Sequence, residues 1–507
     1  MSAALGVLAA FFVVAIGLGI LARQGRDMNL EQWSVGGRGF GSLFVFLLMA
    51  GEIYTTFTFL GGSGWAYGKG APAFYILCYG AIAYSFSYFL LPVIWRYAQP
   101  RRLVSQADYF IAKYDSPALG VIVAVVGVAA LVPYLVLQLR GLGIIVSEAS
   151  YGSIAPATAM WTGTAALIFY VVISGVRGSA WTAALKDVMI LGVVIVIGVY
   201  LPMHYYGGYH AMFDAIARAK PGFLTLPRAG MSPSWLISTV LLTACGFYMW
   251  PQYFASVYTA RNENVFRKNA VMLPLYQLVI LFVFFCGFAA LLVVPGLTGT
   301  DADLSLLRMS KLAFAPWSVG VIGAAGLLTA LVPGSMILIS AATILAQNVY
   351  RPLTRGASDR SVVVVARALV PVVALLALLL ALRGGQAIVA LLLMGYNIVT
   401  QLFPALMLSL AARPLVSRAA AISGIVAGEI TVASITLAGT SVASLFPSAP
   451  QMIKDLNVGL VALIVNTVVL AVVALITGRP ASELAPTRAA AAVYALPPRD
   501  QVSAHEL

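Results

Sequence analysis

Charge is scarce in this chain of 507 residues: Asp, Glu, Lys and Arg together make up 9% of it. Soluble globular proteins carry about 25% charged residues. Thirty basic and 17 acidic side chains cannot cover a water-soluble surface of this size, so a soluble fold is excluded. Cysteine is nearly absent. Cys78, Cys245 and Cys286 all lie inside apolar runs, which excludes a disulfide scaffold. The three histidines, His204, His210 and His505, fall in or near loops and the C-terminal tail, too scattered for a metal site. No nucleotide-binding loop, hydrolytic triad or nucleic-acid motif is visible. The reading is a protein that is not an enzyme and has no cofactor, no metal and no nucleic-acid partner.

What the chain does have is hydrophobicity, at 61% of residues. A helix needs about 20 apolar residues to span a bilayer. Thirteen such stretches are expected, at 2–22, 41–68, 72–97, 118–147, 157–176, 180–202, 233–258, 269–295, 315–347, 362–382, 386–411, 418–440 and 456–477. The first lacks a basic leader and a small-residue cleavage site, so it reads as a retained span rather than a signal peptide.

An odd number of spans puts the termini on opposite sides, and basic residues gather in cytoplasmic loops. With the N-terminus outside, outer segments hold eight basic residues: Lys69, Arg218, Lys220, Arg228, Arg308, Lys311, Arg383 and Lys454. Arg140 and Lys186 lie within spans, and the remaining twenty face the cytoplasm. This asymmetry accounts for the net charge of +13 and implies a multi-pass protein of the bacterial inner membrane with a periplasmic N-terminus and a cytoplasmic C-terminus. The expected organisation is a first helix and cytoplasmic loop (1–40), a core (41–411), two peripheral helices (412–478) and a disordered tail (479–507).

Two spans are interrupted. The second carries Gly51 and then Gly61-Gly62-Ser63-Gly64, and the seventh carries Gly246 and Trp250-Pro251. They stand five spans apart, as the openings of two five-helix blocks. Broken helices at matching places are a trace of inverted-repeat transporters, although glycine also serves plain helix packing.

The stretches Phe59-Leu-Gly-Gly-Ser-Gly-Trp-Ala-Tyr-Gly68 and Ser174-Gly-Val-Arg-Gly-Ser-Ala-Trp-Thr-Ala-Ala-Leu-Lys186 resemble the sodium:solute symporter family. Asn348-Val-Tyr-Arg351 is similar to the family's Asp-Ile-Tyr ending of the ninth helix. Val132-Pro-Tyr-Leu-Val-Leu-Gln138 and Trp181-Thr-Ala-Ala-Leu-Lys-Asp187 are similar to bacterial monocarboxylate permeases, which carry lactate, pyruvate and related acids. The resemblance implies an all-α polytopic membrane protein with a LeuT-type 5+5 inverted-repeat core in helices 2–11. It implies alternating access around a site between the broken second and seventh helices and helices 4 and 11.

The chain departs from the family where sodium binds. The family completes its sodium site with two adjacent hydroxyl residues on the ninth helix, and these positions fall on Val332 and Pro333. An acidic residue of the sixth helix falls on Ala183, while Ser335 and Ser340 are isolated rather than paired. Lys186 stands where many relatives have Gln. A built-in ammonium can take the place of a bound cation, and a low-dielectric site disfavours a charged amine, which permits proton exchange. Two readings stay open: Lys186 couples transport to protons, or it snorkels to the surface or pairs permanently with an acid.

Glu52, in the broken second helix, is an intramembrane carboxylate and so a functional candidate, with Lys186 as its expected partner. A static salt bridge or a protonated, backbone-bonded acid is the competing reading. Asp187 follows Lys186 and points about 100° away on a helix, which assigns it to Arg177 or another inner arginine.

Further candidates line a substrate path: Gln138, Arg140, Thr55, Thr56, Tyr248, Trp250, Tyr396 and Asn397. Gln138 orients a small acid without trapping it. Arg140 either clamps a carboxylate or bonds Glu148 or exposed carbonyls. The aromatic residues gate the pocket or simply pack. Glu429, in helix 12, reads as structural.

The resulting expectation is import of small monocarboxylates (lactate, pyruvate, propionate, acetate) by proton symport, with no obligatory protein partner. A sodium symporter for another solute, such as an amino acid, and a membrane sensor with a transporter fold are the alternatives. The orientation is directly testable. A green fluorescent protein fused to the C-terminus is expected to fluoresce and alkaline phosphatase fused there to stay inactive; an active phosphatase fusion would reverse the topology.

Overall fold

A computed structural model describes residues 2–24, 28–354, 356–412 and 414–478. Arg26, Arg355, Arg413 and the 479–507 tail, expected to be disordered, lie outside the described residues. Secondary structure among the described residues is helical, with one isolated bridge between Phe40 and Ala260. Among the described residues, ten helices are long and apolar enough to cross a membrane.

The elements used below are α1 (Ser2–Arg23), α2 (Ser42–Gly51), α3 (Ser63–Lys69), α4 (Tyr75–Ala98), α5 (Gln106–Tyr114), α6 (Pro117–Ala149) and α7 (Pro156–Tyr206). There follow α8 (Pro233–Gly246), α9 (Pro251–Tyr258), α10 (Asn264–Leu278), α11 (Ile280–Val293) and α12 (Ser305–Ala313). The chain continues through α13 (Pro316–Ile344), α14 (Asp359–Arg383), α15 (Ile388–Val399), α16 (Phe403–Ser409), α17 (Arg418–Leu437) and α18 (Val458–Thr477).

The spans expected at 157–176 and 180–202 have no loop between them. Their junction is Gly175, at φ 57° and ψ −162°, a backbone state open to glycine and little else. The hydroxyl of Tyr170 lies 2.8 Å from Thr182 Oγ1, twelve residues onward. A straight helix would hold those residues about 18 Å apart. Thus α7 doubles back into two antiparallel arms, and Trp33 O packs at Gly175 where a side chain would clash.

The run 322–344 is buried throughout, whereas Ala3–Arg23 and Val458–Thr477 turn most of their surface outward. The centre of the molecule is therefore α13, with both arms of α7 and with α6 packed against it. At the periphery, α17 and α18 pack chiefly on one another.

Small residues set how close these helices come. Gly287 of α11 lies against the backbone of Ser63, and an added Cβ would overlap Ser63 O. Gly192, on the outward face of α7, has nothing near it. Gly287→Ala is expected to lower stability by about 1–3 kcal/mol or more, read as an earlier thermal transition in detergent. Gly192→Ala is expected to leave the transition unchanged; equal effects at both positions would refute this packing.

Candidate functional site

Both interrupted spans break in mid-chain. The first stops at Gly51, passes through non-helical Glu52–Thr55 and resumes through Phe57–Gly62 into α3. Threonine hydroxyls patch the gap. Thr58 Oγ1 accepts from Thr55 N (2.9 Å) and donates to Ile53 O (2.8 Å), and Thr55 Oγ1 accepts from Phe57 N (3.1 Å). The second runs from α8 through a tight turn at Phe247–Met249 to Trp250, which is extended at ψ 133°. Pro251 then opens α9. Proline pushes the residue before it out of helical geometry and suits a first helical position, so the Trp250-Pro251 pair is the physical cause of this break.

The patch leaves two carbonyls of the first break for another donor. Lys186 Nζ donates to Gly51 O and to Tyr54 O, both at 3.2 Å, and pairs with Asp187 Oδ1 at 2.8 Å. An ammonium has three N–H groups, and three oxygens receive them. Lys186 is fully buried. Tyr276 donates to the same Asp187 oxygen at 3.2 Å, and its ring meets Tyr54 edge-on at 4.9 Å.

This geometry corrects two expectations. Asp187 is the ion-pair partner of Lys186 rather than of Arg177, because the four-carbon lysine stem bends back across the angle that separates successive helical residues. Glu52 forms no ion pair with Lys186; its contact is with Gln252 Nε2, at 3.4 Å.

Val332, Ala183 and Leu47 form a small apolar cluster. Val332 and the Lys186 ammonium both border the empty face of Gly51. The side chains of Val332 and Ala183, expected at the family's sodium-site positions, are thus apolar, and Val332 lies close to the lysine. Pro333 is buried next to Val332 within α13. Ser335 and Ser340 form no adjacent hydroxyl pair; Ser335 instead meets Ser179 Oγ at 2.7 Å and donates to Val332 O.

Glu52 is buried at the break, beside Gln252. Close by, Thr56 Oγ1 donates to Gln138 Oε1 at 2.6 Å. Gln138 Nε2 and Gln252 Oε1 are buried without a partner among the described residues. Trp250 lies between Tyr134 (4.9 Å between centroids) and Tyr396 (5.2 Å), and its indole fills the space left by Gly395. Tyr79 continues this wall to Tyr75, then Trp65 and Trp235. Tyr248 packs against Phe247 and Tyr253 on the same side.

Two expected substrate residues lie elsewhere. Arg140 is two positions beyond Gln138, hence about 200° around the helix. Its guanidinium bonds Gln386 O, beside Asp303. Asp303 accepts from Ile388 N at 3.0 Å, and burial pushes its carboxyl up to about 6, against the opposing pull of that N–H and of Arg140. Asn397 turns away from Tyr396 toward Gly459 of α18. Glu429 is half-buried in α17. His204 and His210 lie toward the end of α7 and just beyond it, apart from the site. Among the described residues no three His, Cys, Asp or Glu side chains converge.

Tyr276, Tyr134 and Gln252 were not singled out from the sequence. Only Gln252 carried a signal, as the polar residue directly after the Trp-Pro break.

A model of the sodium:solute symporter family matches residues 33–428. The chain is 59% identical over 485 residues to the uncharacterized symporter YhjB of Bacillus subtilis, across 96% of this chain and 99% of that relative. It is 30% identical over 426 residues to the monocarboxylate transport permease protein of Rhizobium johnstonii, covering 80% of this chain and 83% of the relative. Its fold is similar to that of a Na+-coupled sialic acid symporter solved in a substrate-bound, outward-open state. That likeness has a TM-score of 0.77 at 16% identity, over 95% of this chain and 99% of the other.

The Lys186–Asp187 pair can be tested by a double-mutant cycle on thermal stability. Asp187→Asn strands a buried ammonium and is expected to cost about 3–5 kcal/mol. The joint change Lys186→Met with Asp187→Leu is expected to recover most of that loss. Strictly additive losses would mean that the two residues do not act as a pair.

Proposed function

Since the chain belongs to the sodium:solute symporter family, we propose that it imports small monocarboxylates with protons rather than sodium as the coupling ion. It is a transporter, not an enzyme. The proposed architecture is thirteen crossings with the N-terminus outside. These are the ten long helices with α7 counted as two, plus the two broken spans. Helices 2–11 then form two inverted five-helix repeats of the LeuT type.

The observation that carries the proton reading is the Lys186 ammonium on the carbonyls of the broken helix. A bound sodium ion wants several hard oxygen ligands. Gly51 O and Tyr54 O are oxygens of that kind, and Lys186 already uses them. Val332 and Ala183 add none. A protonated lysine therefore holds the two ends of the break as a metal ion would. Loss of its proton removes the charge and loosens the hold, which ties the state of the break to the proton.

The substrate reading rests on three features. The relative from Rhizobium johnstonii is named a monocarboxylate transport permease. Gln138 Nε2 is a buried donor awaiting an acceptor, beside Thr56 and the frame of Tyr134, Trp250 and Tyr396. A short acid presents one carboxylate to such a donor and a few carbons to such rings. Glu52 adds a condition: ionised, it repels an incoming anion, and protonated, it donates to one. A second proton at Glu52 would thus enter with the substrate.

Uptake of labelled lactate and pyruvate into proteoliposomes, with proton and sodium gradients imposed separately, tests this reading. An inward proton gradient is expected to drive accumulation, and a sodium gradient to add nothing. Lys186→Gln is expected to lower proton-driven uptake by about tenfold or more. Accumulation driven by sodium alone would refute proton coupling, and failure of both acids under either gradient would refute the substrate class.

A further inference from the structure

At the basic end of the molecule, away from the site above, a cavity of about 340 Å³ opens between the start of α2 and the start of α10. Its wall includes Ser42, Arg261, Asn262, Asn264, Arg267 and Lys268. That volume falls at the lower end of the range for small-ligand sites, about 300–1,000 Å³.

The charges around it are unbalanced. Glu263 is shared between Arg96 (3.0 Å) and Arg267 (3.6 Å). Arg261 and Lys268 have no ion-pair partner among the described residues. Four cations thus face one carboxylate, and the amides of Asn262 and Asn264 add uncharged donors.

The cavity is held by backbone rather than by mobile side chains. Phe40 N donates to Thr259 O (2.9 Å) and Arg261 N donates to Phe40 O (3.0 Å), which ties the entry of α2 to the exit of α9. The Arg261 guanidinium lies over Gly41 in this link. One wall also faces lipid. Leu43 follows Ser42 and is 66% exposed, and Val271, Met272 and Leu275, in the two turns after Lys268, are 53–61% exposed. A cationic hollow at helix ends with an apolar slope beneath it has the chemistry of a phospholipid: phosphate above, acyl chains below.

We propose that this cavity binds the phosphate of an anionic phospholipid from the membrane leaflet at the basic end. The bound headgroup bridges α2, which carries the first helix break, and the loop that follows the second. It thereby restrains the two broken spans at a single point. The proposal does not depend on which solute or coupling ion the transporter uses.

Native mass spectrometry of the full chain in detergent, titrated with phosphatidylglycerol or phosphatidylcholine, tests it. Phosphatidylglycerol adducts are expected to persist and phosphatidylcholine adducts to be shed. Removing a cation is expected to weaken phosphatidylglycerol binding by about fivefold per charge, so Lys268→Gln shows one step and Arg261→Gln with Lys268→Gln shows two. Lys454→Gln, remote from the cavity, is expected to change nothing. Millimolar inorganic phosphate is expected not to displace the lipid. Lys268 is exposed at the helix start, so its variant reports on the cavity even where the Arg261 variant misfolds. Unchanged phosphatidylglycerol binding in Lys268→Gln, equal retention of phosphatidylcholine, or displacement by inorganic phosphate would each overturn the assignment.

Discussion

Backbone carbonyls inside a bilayer need donors, because no water is there to serve them. A continuous helix meets that need internally. A helix that stops in mid-membrane does not, and the break between Gly51 and Thr56 is organised around the deficit. Threonine hydroxyls satisfy part of it, and the Lys186 ammonium takes Gly51 O and Tyr54 O. The lysine in turn needs its charge balanced, which Asp187 does, held by Tyr276. The interrupted helix, the buried cation and the buried acid are thus one interdependent unit, and removing any member leaves another uncompensated.

The second break rests on a different principle. Trp250-Pro251 cannot continue a helix for steric reasons, and the freed segment places Trp250 against Tyr134 and Tyr396. The glycine at 395 admits the indole there. One break therefore presents charge and hydroxyl groups, the other an aromatic surface. Glu52, Gln138 and Gln252 lie near these breaks, and two of them have a buried polar atom without a partner among the described residues. Such atoms cost free energy when left alone. The proposed substrate and proton would relieve that cost here.

The helical class, the membrane setting and both helix breaks were legible from the sequence, because each has a local cause. Composition dictates the solvent, run length dictates a span, and Gly or Trp-Pro dictates an interruption. The family was legible too, through motifs at 59–68 and 174–186 that now fall within its matched region. The Gly175 hairpin was half legible: two spans were expected, but a glycine at positive φ joins them without the loop that separate helices normally need.

Pairing was not legible. Helical geometry sent Asp187 away from Lys186, yet a long flexible side chain seeks oxygen wherever the fold provides it. A carbonyl was one partner left open for Arg140, but local geometry did not reveal that Gln386 would supply it, or that Asn397 would turn to Gly459, because the choice of face depends on which neighbour packs there. The sequence by itself determined a polytopic helical protein with two broken spans and a lysine placed within a span. Only the tertiary structure decided which oxygens that lysine holds, since the carbonyls of residues 51 and 54 come from a broken span 135 and 132 positions away. Local rules place residues on elements; which elements meet depends on long-range packing that no single stretch of chain encodes.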